Sequence, residues 1–155
     1  MLDLYDELKA LTAGFDSRGI DYALCGGLAM AVYGLTRATV DIDVLIPEEC
    51  LEAARSVARE LGYTTAAAPM SLAGGTIEIR RTSKLDPDTG DLLSLDLLLV
   101  TAPLSDVWQK RLEVEWEDGI LRVVSRAGLI ALKRLRGSSR DLDDIARLRE
   151  DFREP

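Results

Sequence analysis

The chain has 155 residues, 47% of them hydrophobic and 30% charged, which suits one domain able to bury a single core without disulfides or a structural metal. A formal charge of −8 excludes a global basic field for nucleic acid or anionic lipid, and 5% aromatics argues against a surface that stacks bases. There is no histidine, so Ser-His-Asp and Cys-His triads and imidazole zinc sites are excluded, and any chemistry rests on carboxylates, Lys, Arg or a hard metal ion.

Leu2, Leu4, Tyr5, Leu8 and Leu11 fall at helical spacing, so a helix is predicted over residues 2–13, closed by Gly14 or Gly19. The N-terminus lacks a basic leader followed by an apolar run, and no segment approaches a membrane span. Cys25 and Cys50 have neither CxxC spacing nor the density of a disulfide scaffold. The expectation is a cytoplasmic protein with reduced thiols and no membrane partner.

Asp21 to Cys25 reads as a short strand that runs into Gly26-Gly27, and Leu28 to Tyr33 as a short buried helix ended by Gly34. Glycines at such a junction let a phosphate approach backbone N–H groups at the positive end of a helix, although two glycines also make a plain tight turn. Thr39 to Ile46 alternates with period 2, which puts Asp41 and Asp43 on one face and Val40, Ile42 and Val44 on the other. Pro47 stops that strand. Glu48 to Leu61 is an amphipathic helix with Gly62 as its C-cap, and residues 66–69 form a loop or short edge strand.

Gly75 to Thr82 and Leu92 to Val100 form a hairpin about the turn chemistry of Asp86 to Gly90. Asp96 is the only charge in the second strand, where an unpaired carboxylate is costly, so it either meets a cation or pairs with Arg80 or Arg81 across the hairpin. Pro103 opens a short helix to Lys110, and a second hairpin joins Leu112–Trp116 to Ile120–Val124. Helices follow at Arg126–Arg136 and Asp141–Phe152. Arginines gathered between Arg126 and Arg140 are either a local anion site or a solvated helix face. Without repeats or linkers, the chain reads as one α/β domain over 1–155, with a core of about 20–125 and C-terminal helices at about 126–152.

Gly26-Gly27 followed by Arg37-Ala-Thr39-Val-Asp41-Ile-Asp43 resembles the signature of the nucleotidyltransferase superfamily, with its polymerase-β-like fold, and most resembles the AbiEii/AbiGii toxin-like branch. Asp96, in Ser94-Leu-Asp-Leu-Leu98, falls where that superfamily has its third acid. Leu129-Ile-Ala-Leu-Lys133 and Arg140-Asp141-Leu-Asp-Asp144-Ile145 resemble the lysine helix and the R/K-D-L-x-D-I helix of the branch.

The resemblance implies an α/β (α+β) fold, a mixed β-sheet flanked by helices with a short C-terminal helical segment. It implies transfer of a nucleoside monophosphate from an NTP to an acceptor hydroxyl on a tRNA end, a protein or a small molecule. The setting it suggests is a toxin–antitoxin pair, with a cognate antitoxin or toxin protein as partner. Asp41, Asp43 and Asp96 would be the metal ligands and, with Lys133, the catalytic set, holding Mg²⁺ (or Mn²⁺) as two ions about 3.5–4 Å apart, as two-metal sites generally do. Gly26, Gly27, Arg37, Thr39, Lys133 and Asp144 would bind the nucleotide. Asp141 and Asp144 share a helix face and would orient Lys133 or Arg37, or else cap and solubilise the last helix.

Gly27 stands where many relatives have a phosphate-binding serine, and the chain is shorter than typical toxins of the branch. The alternative is a non-catalytic member, an antitoxin-like module that binds a nucleotide or partner protein.

Overall fold

The computed structural model describes residues 2–35, 41–117 and 119–153, with side chains to residue 150. Helix α1 spans Leu4–Ser17, where the Asp3 carboxylate accepts the Tyr5 and Asp6 N–H groups and so satisfies donors that a helix start leaves open. Leu8, Leu11 and Phe15 form its buried stripe. The helix runs through Gly14 because that glycine is a packing contact. A Cβ there would lie 2.5 Å from Cγ1 of Val57 on α3 (Leu51–Glu60), and the chain leaves the helix only at Arg18 and Gly19.

Strand β1 (Ala23–Cys25) is wholly buried and passes directly into α2 (Gly26–Val32). Strand β2 (Asp41–Ile46) shows the expected alternation in its first half, with Ile42 and Val44 buried and Asp41 and Asp43 half-buried. Leu45 and Ile46 are both buried, as in a strand covered on both faces. The region Glu48 to Leu61 divides into a 3₁₀ turn, Glu48–Cys50, and α3.

Strands β3 (Thr65–Ala66) and β4 (Met70–Leu72) lie along β5 (Ile77–Leu85), which pairs antiparallel with β6 (Leu92–Leu99). β4 was not expected from the sequence. β5 continues past Thr82 because Ser83, Lys84 and Leu85 find partners in Ser94, Leu93 and Leu92. After α4 (Ser105–Gln109) comes the hairpin of β7 (Leu112–Trp116) and β8 (Gly119–Val123).

The sheet order is β3-β5-β6-β2-β1-β8-β7, with β4 also on β5. β2 runs parallel to β6 and β1 parallel to β8, while the other pairs are antiparallel, so the sheet is mixed. Helix α5 (Arg126–Arg136) starts at Ser125, whose hydroxyl accepts the Gly128 N–H, and ends at Gly137 in the left-handed region. Helix α6 (Ser139–Arg153) packs on α5, and its Ile145 and Leu148 are buried. The result is the predicted architecture, a mixed α/β fold whose central sheet is flanked by helices. Fully buried Leu and Ile side chains such as Leu24, Ile42, Ile46 and Leu95 each contribute roughly 1.5–3 kcal/mol through removal from water.

Among the described residues no helix is long and apolar enough to cross a membrane. Cys25 and Cys50 are both free thiols. Arg37 and Thr39, expected at the nucleotide, lie outside the described residues.

Candidate functional site

β2 lies between β1 and β6, so each of its carboxylates has a neighbour on a paired strand. Parallel pairing sets Asp43 opposite Asp96 and Asp41 opposite Ser94. The next strand out sets Arg81 opposite Asp96. The guanidinium grips both Asp96 oxygens, Nε to Oδ1 at 2.7 Å and Nη2 to Oδ2 at 2.9 Å, and the same Nη2 stands 3.9 Å from Oδ2 of Asp41. Of the two cross-hairpin partners considered for Asp96, the chain uses Arg81. Arg80 points to the other face and meets Glu78 at 3.2 Å.

Two carboxylates thus meet one guanidinium and a third, Asp43, lies opposite Asp96, and their protonation reflects the crowding. Burial pushes the Asp43 carboxyl up to about 7, and the nearby charges of Asp96 and Asp41 add to that rise. Asp41 is also raised, by burial and by Asp96, against the opposing pull of Arg81 and Arg136. Hydrogen bonding to Asp96 holds the Arg81 guanidinium still more firmly in its charged form.

Gly26 adjoins this cluster. Antiparallel pairing puts Cys25 opposite Asp43, and the following residue turns into α2 with φ of +68°. A Cβ at Gly26 would lie 2.1 Å from Oδ2 of Asp43. The position is glycine for two reasons, the left-handed backbone and the carboxylate that fills the space of a side chain. Gly27 follows in the first turn of the seven-residue α2. The Cys25 thiol, buried and beside Asp43, is pushed well above its ordinary value.

The C-terminal helices bring cations to the same place. A small cavity of about 20 Å³ is bordered by Cys25, Gly26 and Asp43 on the sheet side and by Lys133 and Arg136 of α5. Lys133 is buried and donates to Oδ2 of Asp144 on α6 at 2.9 Å, so Asp144 orients Lys133 as one of the sequence alternatives held. Asp141 takes the other role. Its Oδ2 accepts the Ser138 N–H and hydroxyl while Ser138 Oγ accepts the Asp141 N–H, a reciprocal cap at the start of α6. Arg136 and Arg81 were not singled out as site residues by sequence reasoning. Arg136 lies one turn after Lys133 on the same helix face, a spacing that could have revealed it.

The donor chemistry fits a hard divalent cation: carboxylates alone, with acid in excess, and with Asp43 raised by burial beside two other acids. The spacing does not close on an ion as the side chains stand. Among the described residues no group of three or more His, Cys, Asp or Glu side chains is arranged to hold a metal ion. Arg81 lies where two of the three carboxylates face each other.

No protein-family model matches the chain, and no curated protein matches it in sequence. Solved structures do match in shape. The lincosamide antibiotic adenylyltransferase LnuA, lincomycin-bound, aligns with TM-score 0.62 at 16% identity over 94% of this chain and 96% of that one. ANT(2")-Ia in complex with adenylyl-2"-tobramycin aligns with TM-score 0.64 at 14% identity, over 95% and 88%. A candidate nucleotidyltransferase from Thermotoga maritima aligns with TM-score 0.60 at 15% identity, over 99% and 97%. At such identities the likeness is one of fold. The chain has the fold of the nucleotidyltransferase, polymerase-β-like superfamily.

Proposed function

We propose that the chain is a Mg²⁺-dependent nucleotidyltransferase that moves a nucleoside monophosphate from an NTP to a hydroxyl of a small-molecule acceptor in the cytoplasm. The observation that carries this reading is the gathering of Asp41, Asp43 and Asp96 on two paired strands beside the glycine at Gly26. Support for a small acceptor comes from near full-length likeness to structures bound to lincomycin and to adenylyl-2"-tobramycin. The charge of −8 also disfavours a long polyanionic acceptor.

In this reading Asp41, Asp43 and Asp96 hold Mg²⁺, as two ions, or Mn²⁺ in its place. The metal supplies activation of the acceptor oxygen and neutralisation of the leaving pyrophosphate. Gly26 seats the Asp43 carboxylate against the start of α2, and Gly26 and Gly27 together are the candidates to offer backbone N–H groups to phosphate oxygens. Lys133, its ammonium held by Asp144, and Arg136 direct positive charge toward the triphosphate. Arg37 and Thr39 are the remaining candidates for nucleotide contact. The acceptor oxygen forms the new bond to the α-phosphorus, the bond to pyrophosphate breaks, and the acceptor proton passes to Asp96.

One observation favours a second reading. Arg81 neutralises Asp96 from within the chain, as expected of a non-catalytic module that binds nucleotide or a partner protein in antitoxin-like fashion. Membership of the AbiEii-like branch, and a toxin–antitoxin setting for either reading, rest on the Gly26-Gly27 and Arg140-Asp141-Leu-Asp-Asp144-Ile145 motifs. The test is incubation of purified protein with Mg²⁺ and each labelled NTP, together with a lincosamide, an aminoglycoside or total RNA. Transfer to a small hydroxylated acceptor with release of pyrophosphate, lost to background in Asp43→Asn, is the expected result. Nucleotide binding without transfer in any arm supports the binding module, and transfer to RNA alone overturns the small acceptor.

A further inference from the structure

We propose that Arg81 is a resident counter-cation that a divalent ion must displace from Asp96 and Asp41, so that metal loading is coupled to the swing of one side chain. The inference rests on the reading of Asp41, Asp43 and Asp96 as metal ligands and adds a control element to that site. Arg81 engages both Asp96 oxygens, at 2.7 and 2.9 Å, and its Nη2 is 3.9 Å from Asp41. A planar fork placed this way takes up the carboxylate faces that a second cation needs and repels that cation directly.

The burial of the two partners decides which one moves. The Asp96 side chain is 6% exposed and fixed in the middle of β6, whereas that of Arg81 is 37% exposed on a long flexible stem. The guanidinium can turn into water without leaving a hole in the core. If it left with nothing in its place, Asp96 would remain buried and uncompensated, so departure is favourable only as an exchange of one cation for another. The same swing ends the Arg81 contact with Asp41, so one movement acts on two of the three carboxylates. Arg136 provides a contrast. It acts on Asp41 and Asp43 through space, with its Nε 3.9 Å from Asp141 on its own helical side of the site.

Two measurements on the full chain without nucleotide test the exchange. Mn²⁺ binding, read by electron paramagnetic resonance, should tighten on the order of tenfold in Arg81→Met and less than about threefold in Arg136→Met, because only the first removes a direct occupant. Arg81→Lys, which keeps the charge but cannot bridge both oxygens, should fall between wild type and Arg81→Met and serves if Arg81→Met does not fold. In the nitrogen–proton spectrum, the Arg81 Nε–H resonance, assigned by its loss in Arg81→Lys, should move to the position of solvated arginines as Mg²⁺ is added. Equal tightening in Arg81→Met and Arg136→Met, or Mg²⁺ binding with that resonance unmoved, overturns the exchange and leaves the metal site standing. If neither wild type nor Arg81→Met binds Mn²⁺ at millimolar concentration, the metal reading itself fails.

Discussion

Lys133 and Asp144 meet across α5 and α6 at 2.9 Å with side chains 7% and 6% exposed. On β2, β5 and β6, by contrast, Asp96 and Asp41 share the guanidinium of Arg81, and the neighbouring Asp43 carboxyl is pushed up to about 7. The helical pair is buried with its opposite charges offset. The sheet cluster holds acid in excess on paired strands that cannot spread apart, so its charge is balanced by protonation or by a cation from outside. Buried opposite charges that offset each other can stand without a ligand, whereas acid in excess favours the uptake of a proton or a cation.

The largest effect expected from this contrast falls on the helical pair. Lys133→Met leaves Asp144 buried opposite an apolar stem and should lower stability by about 3–5 kcal/mol in urea unfolding. Lys133→Met with Asp144→Leu removes both charges and should recover most of that loss. If the double variant stays as unstable as the single one, Lys133 is doing more than answering Asp144, and the helical half belongs with the unbalanced charges.

Gly26→Ala probes the sheet half through geometry. The substitution meets both a φ of +68° and the Asp43 carboxylate at 2.1 Å, so roughly 2–4 kcal/mol of stability should be lost. In an Asp43→Ala background the clash with Oδ2 and Cγ disappears, and the loss caused by Gly26→Ala should fall by about half, a non-additivity that measures the contact itself. Strictly additive losses would mean that the backbone conformation alone selects glycine.

Sequence patterns carried the local part of this structure well. The boundaries of α5 match, because Ser125 and Gly137 are cap residues of ordinary type, and period 2 correctly turned Asp41 and Asp43 to one side of β2. Of the two glycines offered as the end of α1, Gly19 follows the last turn, whereas Gly14 lies inside the helix because it packs against Val57, a residue remote in sequence. β4 is three residues of mostly exposed chain whose strand character comes from β5 and not from its own pattern. At the site, the acids and Gly26 were legible as spacing, whereas the convergence of Asp43 with Asp96 depends on a parallel pairing that no local pattern encodes. Arg81 was visible as one of two adjacent arginines. Which of the two faces Asp96 is decided by the hairpin register.

The smallest predicted effect is also the one that changes sign. A carboxyl whose ordinary value is 3.8 and whose folded value is about 7 binds its proton more tightly in the folded state. Between those values the folded protein therefore carries more protons than the unfolded chain, and stability falls as pH rises through the window, with the whole penalty present above about 7. Asp43→Asn removes the penalty. Because the half-buried Asp43 is still partly screened by water, the gain should be about 1–2 kcal/mol at pH 8 in EDTA and should vanish toward pH 4. Added Mg²⁺ should reverse the ranking, since an ion that binds only the folded wild type stabilises it in proportion to the logarithm of its concentration, while Asp43→Asn lacks a ligand for it. Thermal unfolding at pH 4 and pH 8, with EDTA and with Mg²⁺, reads all four corners. A variant that tracks wild type in every one of them would mean that Asp43 is as self-contained as the Lys133–Asp144 pair, and the contrast between the two halves of the molecule would be gone.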